Sequence, residues 1–424
     1  MASTFEERLD RYGDLLLRVG LNLQPGQKLV ISGAQAGDPR VAEFVRATAH
    51  KAYDIGAADV VVFWGDPLLD RIRVDRASME ALGEPPTWRV KWLEDLSQQG
   101  AAFLNLYAPD PAQFKGADQQ RLQTVLRTAQ QALRAFSEAA GRMEHAWLVA
   151  SIATPAWAQV VYPELAEDEA VAALWANIFS ATRIDTPDPV AAWNTHLDEL
   201  KRHTDQLNRA HFARLHYRAP GTELTIGLPQ RHLWESGDSG VQSKRGVTFV
   251  PNLPTEETFT MPQRDGVEGT VRATMPLNYN GQLITGLWAT FQGGRIVEYG
   301  ADEGLDALKS IIETDEGSHY LGEVALVPHG SPSSFDRPLY NTLFDENAAC
   351  HVAIGRAYPT NLQGGDAMTP EQLAEAGAND SLTHVDFMIG SDQLDIDGET
   401  EAGERIAVFR GGQWASGPGS LDAL

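Results

Sequence analysis

Cys350 is the only cysteine in this chain of 424 residues. Neither an intrachain disulfide nor a cysteine-built zinc site is open to it, and no oxidising compartment is required. Basic residues are also scarce: 34 Lys and Arg stand against 58 Asp and Glu, a formal charge of -24. That balance opposes binding to nucleic acid and to anionic membranes, both of which draw on clustered Lys and Arg. No apolar stretch approaches the roughly 20 residues that cross a bilayer. The opening Thr4-Phe5-Glu6-Glu7 is a capping box ahead of Leu9, Tyr12, Leu15, Leu16 and Val19 at helical spacing, not a basic, cleavable leader. The expected location is cytoplasmic. The strand-like run Lys28 to Ser32 is followed by no Gly-x-Gly-x-x-Gly and no phosphate-loop Lys. A Gly-x-Ser-x-Gly elbow and a His-Glu-x-x-His helix are missing too, which argues against the common serine hydrolases and the familiar single-zinc proteases.

What is present falls into two halves. In the first, β-rich runs at Lys28–Ser32, Asp59–Trp64, Ala101–Tyr107 and Ala146–Ile152 alternate with helical stretches at Arg40–Tyr53, Asp118–Arg142 and Glu167–Phe179. Strands separated by helices predict a doubly wound parallel sheet covered on both faces. A polar helix over Pro189–Ala210 leads to a half with another grammar, in which paired β runs flank a Pro-Gly turn at 220–221, Asn280-Gly281 and Gly293-Gly294. The expectation is α/β plus α+β: an N-terminal α/β domain over residues 1–205 and a mixed, mostly antiparallel domain over 206–424 that carries a metal site.

Ligands in a chain with one cysteine must come from His, Asp and Glu. His384-Val385-Asp386 offers two on one strand face, their attachment points about 7 Å apart. Alone, the pair is also what a hydrogen-bonded sheet surface shows. The apolar Phe387-Met388-Ile389 that follows draws the strand into a core, where an ionisable pair must be partnered. Glu323 opens a second buried-looking strand, Val324 to Val327. Glu256 and Glu257 follow two prolines on extended backbone and therefore point to opposite sides. Glu346 and His351 flank a helix end turning into a strand, and Cys350 beside them reads as a small buried filler. Tyr358, before Pro359, is either a packed aromatic or a phenol able to donate to an oxyanion.

These clusters, namely Asn252-Leu253-Pro254-Thr255-Glu256-Glu257, Leu321-Gly322-Glu323 through Pro328, Thr342 through Ala349 with its Phe344-Asp345-Glu346-Asn347, and His384-Val385-Asp386, resemble the aminopeptidase T and aminopeptidase S family of metallopeptidases. The likeness spans nearly the whole chain. It implies a homodimeric enzyme that removes N-terminal amino acids, leucine among them, from peptides with a free N-terminus. It also implies two divalent metal ions (Zn, Co, Mn or Mg) with a bridging water. Position by position it makes Glu257, Glu323, Glu346, His351, His384 and Asp386 the metal ligands, with Glu323 the bridge, and Tyr358 the catalytic tyrosine; Glu256 is a candidate proton carrier. The competing expectations are a non-catalytic metal-binding relative and a different metal-dependent amidohydrolase.

Overall fold

The computed structural model describes residues 3–35, 37–108, 110, 112–237, 242–279 and 282–423. The chain divides into two compact units, one built from residues 1–195 and 240–254, the other from 196–239 and 255–424.

The first unit is organised by a parallel sheet of β1 (Lys28–Gln35), β2 (Asp59–Gly65), β3 (Ala102–Tyr107) and β4 (Trp147–Ser151) in the order β2-β1-β3-β4. Register places Val30, Phe103 and Trp147 on one face, where they pack with Leu96 and Phe136 of helices Thr87–Gln98 and Gln119–Gly141. Leu29, Ile31, Leu104 and Leu148, on the other face, are fully buried. Local signals start the helices as the sequence indicates. Thr4 and Glu7 form the reciprocal capping box of Phe5–Leu15, and Asp38 caps a helix with proline at its start, Pro39–Ile55, that ends on left-handed Gly56. Residues 240–254 return to this unit through Val149 N–H donated to Pro251 O and Leu253 N–H donated to Val149 O, at 2.7 and 3.0 Å.

The second unit is mostly antiparallel. Strands β5 (Arg214–Ala219), β6 (Thr222–Gly227), β7 (Glu235–Ser236), β8 (Thr258–Thr260) and β9 (Val267–Arg272) come first. The short pair β10 (Leu277–Tyr279) and β11 (Gln282–Ile284) follows, then β12 (Trp288–Gln292), β13 (Arg295–Gly300) and β14 (Leu321–Leu326). Last are β15 (His351–Gly355), β16 (His384–Met388), β17 (Asp395–Glu399), β18 (Arg405–Arg410) and β19 (Gln413–Trp414). They form an eight-stranded sheet, β13-β12-β9-β6-β5-β17-β18-β19, and a five-stranded sheet, β16-β15-β14-β8-β7. The predicted Asn280-Gly281 turn lies outside the described residues. The helix end expected beside Glu346 is a single turn, Thr342–Asp345, continued as a 3-10 turn, Glu346–Ala348, before β15 begins at His351.

Both sheets contribute to one core, in which Leu224, Val271, Phe291 and Ile396 of the larger meet Val324, Leu326, Val352, Ile354, Val385 and Phe387 of the smaller. The alternation along β14, β15 and β16 has a direct consequence. If residues 324 and 326, 352 and 354, and 385 and 387 face the core, their neighbours must emerge on the far side of the same sheet.

Candidate metal centre

That far side carries Glu323, His351, His384 and Asp386. Register pairs Glu323 with Ala353, Ala353 with Asp386, and Gly355 with His384. A bulge sets Glu323 in place: between Leu321 and Glu323 strand β14 has one residue more than its partner β15. Leu321 and Val324 can then both reach the core while Glu323 turns away from it. Only glycine fits at the bulge, because a Cβ on Gly322 would lie 2.3 Å from Gly355 O.

The four side chains converge with Glu257, which follows the extended segment before β8. His351 Nε2 lies 3.1 Å from Glu257 Oε2 and 3.4 Å from Glu323 Oε1. His384 Nε2 lies 3.7 Å from Glu323 Oε2 and 3.5 Å from Asp386 Oδ1. The two oxygens of Glu323 are thus shared out, one to each imidazole. Glu257, Glu323 and His351 offer donor atoms within 4.8 Å of one another, and so do Glu323, His384 and Asp386. Glu346 belongs to neither triad, yet its carboxyl, on the turn beside them, feels the charges of Glu257, Asp386, His351 and Glu323.

Several features match this donor set to divalent cations. Each imidazole has its Nδ1 against a backbone carbonyl, His351 at 3.1 Å from Ala349 O and His384 at 2.7 Å from Arg356 O. An Nδ1–H donated there turns the Nε2 lone pair toward the carboxylates, the arrangement that orients metal-binding histidines. Glu257 Oε2 and Asp386 Oδ1 are buried without a hydrogen bond. For Glu257 the nearest cationic group is His351, whose Nε2 lies 3.1 Å away. Glu257, Glu323, Glu346 and Asp386 set four carboxylates against two imidazoles, a surplus of negative charge that a buried site must neutralise.

The titration of the groups reports the same crowding. Burial alone would lower both imidazoles, but Glu257 and Glu323 outweigh it at His351 and hold it well above the ordinary range. At His384, Asp386 and Glu323 do the same and raise it to about 9. Burial, and then repulsion from Glu257 and Asp386, push Glu346 well up. Burial raises Glu323 as well, with only part of the effect offset by the imidazoles. Asp386 goes the other way, because His384 and His351 overcome its burial.

Around this core the remaining candidates separate. Glu256 turns from the cluster: its Oε2 lies 3.4 Å from His196 Nε2, and its N–H donates to Asn347 Oδ1 at 2.6 Å. Of the adjacent glutamates, Glu257 is the one that meets His351, while the Glu256 carboxylate meets His196. The Tyr358 ring stands 4.9 Å from that of His384 and 6.3 Å from that of Phe259, nearly perpendicular to the latter. Desolvation, and then the carboxylates Glu323, Asp386, Glu346 and Glu257, push its phenol well above its usual value. Tyr358 is 42% exposed, and a phenol shifted upward from about 10 is protonated at neutral pH. Cys350 is a buried filler, its Sγ between Val327 N and O, with burial raising the thiol to about 11. Asn379 drew no notice in the sequence. It is 2% exposed and donates to Gly317 O and Gly355 O at 2.8 and 2.6 Å, fixing the turn that supplies the Arg356 carbonyl. A single polar residue between turns carries no sequence signal for that role.

Comparison with known proteins agrees with the geometry. The family described as thermophilic metalloprotease (M29) matches residues 5–414. Aminopeptidase 2 of Geobacillus stearothermophilus is 48% identical over 412 residues, covering 97% of this chain and 98% of that one. Aminopeptidase AmpS of Bacillus subtilis is 44% identical, with 97% and 99% covered. Aminopeptidase T of Thermus aquaticus is 42% identical, again with 97% and 99% covered. The solved structure of wild-type AmpT from Thermus thermophilus superposes with a TM-score of 0.91 at 39% identity, over 97% of this chain and all of that one. The shared fold extends over both units, and the chain belongs to the thermophilic metalloprotease (M29) family.

Proposed function

We propose that this chain is a metal-dependent aminopeptidase that releases leucine and other residues from the free N-terminus of peptides at a centre for two divalent ions. The observation that carries the reading is the pair of donor triads joined through Glu323, one oxygen to each imidazole. Glu257, Glu323 and His351 would hold one ion, with Glu346 beside them, and Glu323, His384 and Asp386 the other. Bound there, Zn, Co, Mn or Mg, all compatible with oxygen and imidazole donors, would supply Lewis acidity to the scissile carbonyl and to a bridging water.

The chain itself supplies the rest. The backbone carbonyls of Ala349 and Arg356 orient His351 and His384. Tyr358, a phenol protonated at neutral pH, donates a hydrogen bond to the oxyanion that develops as the first peptide carbonyl is attacked. In this reading residues 206–424 carry catalysis. A single buried cysteine and the absence, among the described residues, of any helix long and apolar enough to cross a membrane support a cytoplasmic setting. The family likeness supports a homodimer.

The test is metal analysis of the purified protein, then release of leucine from Leu-p-nitroanilide and acetyl-Leu-p-nitroanilide by apo-protein given back each ion. Two ions bound, with only the free-amine substrate cut, is the expected result. Two ions without turnover would mark a non-catalytic relative, and cleavage of the acetylated substrate a broader amidohydrolase.

A further inference from the structure

Tyr358 stands on a turn whose fixing differs from that of the metal-ligand candidates, and the fixing points to a residue outside both triads. Strand β7 is only two residues long, at the edge of the five-stranded sheet. Register runs one row across the sheet from Glu235 to Phe259, Ala325 and His351. Glu235 therefore emerges on the face that carries the donor triads, beside the ring of Phe259 against which Tyr358 packs.

Its carboxylate is used in one direction. Thr360 Oγ1 donates to Glu235 Oε2 at 2.7 Å and Asn361 Nδ2 donates to the same oxygen at 3.1 Å. These donors are the second and third residues after Tyr358, on the 3-10 turn Pro359–Asn361. The backbone reinforces the contact, with Leu233 N–H donated to Asn361 O at 2.7 Å and Gln363 N–H donated to Arg231 O at 3.0 Å. No hydrogen bond reaches Glu235 Oε1 among the described residues. Burial raises the carboxyl above its ordinary value, and the nearby negative charge of Asp366 and Glu323 adds to the rise. In such surroundings a charge on this acid is disfavoured, and its contacts are the two hydrogen bonds that Oε2 accepts.

We propose that Glu235 is the positioning residue for Tyr358: it ties the turn after the tyrosine to the edge strand and holds the phenol over the donor face. The proposal rests on the reading of Tyr358 as the oxyanion donor. Because two neutral donors meet one oxygen, a neutral amide oxygen should serve nearly as well. Charge is not the function.

The experiment is a double-mutant cycle on the metal-loaded enzyme with Glu235→Ala, Glu235→Gln and Tyr358→Phe. Glu235→Ala should lower kcat roughly 10- to 100-fold, with KM and metal stoichiometry near wild type, as loss of orientation at the reacting centre does. Glu235→Gln should stay within about threefold of wild type, since it restores the acceptor. In the Tyr358→Phe background Glu235→Ala should cost nothing further. Protection of the Asn361 and Leu362 amides from hydrogen exchange should fall in Glu235→Ala and recover in Glu235→Gln, a readout independent of turnover. Additive losses in the cycle would overturn the proposal, and so would Glu235→Gln falling as far as Glu235→Ala or an effect confined to KM. An inactive wild-type enzyme would instead refute the aminopeptidase reading, whereas an active one with an additive cycle refutes only the role of Glu235.

Discussion

The five-stranded sheet of the second unit presents two surfaces made by the same strands, and they obey opposite rules. On one, Val324, Leu326, Val352, Ile354, Val385 and Phe387 close against the larger sheet and gain from leaving water. On the other, Glu323, His351, His384 and Asp386 are also withdrawn from water, yet each pays a desolvation penalty and is set beside like or opposite charge. Successive residues of one strand can belong to either regime because side chains alternate across a strand. The apolar surface supplies stability, and the ionisable surface is tolerated because the apolar one is so well packed. The contrast therefore predicts that the two surfaces fail differently.

The largest effect should come from Glu323→Gln, the residue common to both donor triads. Metal content measured on the purified variant should drop for both sites, and kcat/KM should fall on the order of 1000-fold or more. The thermal midpoint of the metal-free protein should hold or rise, because a buried carboxyl repelled by Glu257 and Asp386 has been neutralised. Loss of one ion with the second retained at full affinity would break the shared-bridge reading. Next in size is Tyr358→Phe. Removing one donor to a developing oxyanion lowers kcat by roughly 100- to 1000-fold. Bound metal should stay at the wild-type level, so steady-state kinetics paired with metal analysis separates Tyr358 from the triads.

Leu326→Ala probes the opposite surface of the same sheet. Leu326 is fully buried, and the truncation should destabilise the protein by about 2–5 kcal/mol in chemical unfolding. At a temperature where the variant is folded, metal content and kcat should match wild type. Metal loss from the folded variant would show that the two surfaces are not separable.

The contrast also explains what could be read from the chain beforehand. The parallel strands, the helix Pro189–Ala210 and the shared face of His384 and Asp386 depend on periodicity within one element, which sequence displays directly. The bulge at Gly322 is invisible there, because an extra residue in β14 exists only relative to β15. The opposite aims of Glu256 and Glu257 follow from extended backbone, but which of them meets His351 is decided by a residue 94 positions away. Glu235 lies in a strand of two residues, too short for any periodic signal. Residues 240–254 join the first unit through pairing with Val149, a long-range contact with no local signature.

The smallest effect asks what a buried imidazole does without carboxylates around it, and the first unit provides one. His145 is 1% exposed, with its ring 4.6 Å from that of Phe103 and 5.1 Å from that of Phe136, and its Nδ1 2.7 Å from Ser97 Oγ. Burial pulls its pKa down to about 4, against a weaker upward pull from Glu144. His384, less fully buried and facing Asp386 and Glu323, moves in the opposite direction. An unfolded His145 takes up a proton near pH 6.5, whereas the folded one waits until about 4. Between those values the unfolded chain binds more protons, so this contribution to stability is complete above pH 6.5 and is lost as pH falls toward 4. The loss should be roughly 1–3 kcal/mol, read as falling protection factors for the amides of β3, which carries Phe103. His145→Gln cannot titrate, and its β3 protection should change less between pH 7 and 5 than that of the wild type. His203 and His232, also lowered by burial to about 4, act in the same window and are common to both proteins, so the difference isolates residue 145. An equal fall in the two proteins would assign the acid sensitivity of β3 to those other groups and leave the buried imidazole without a role in it.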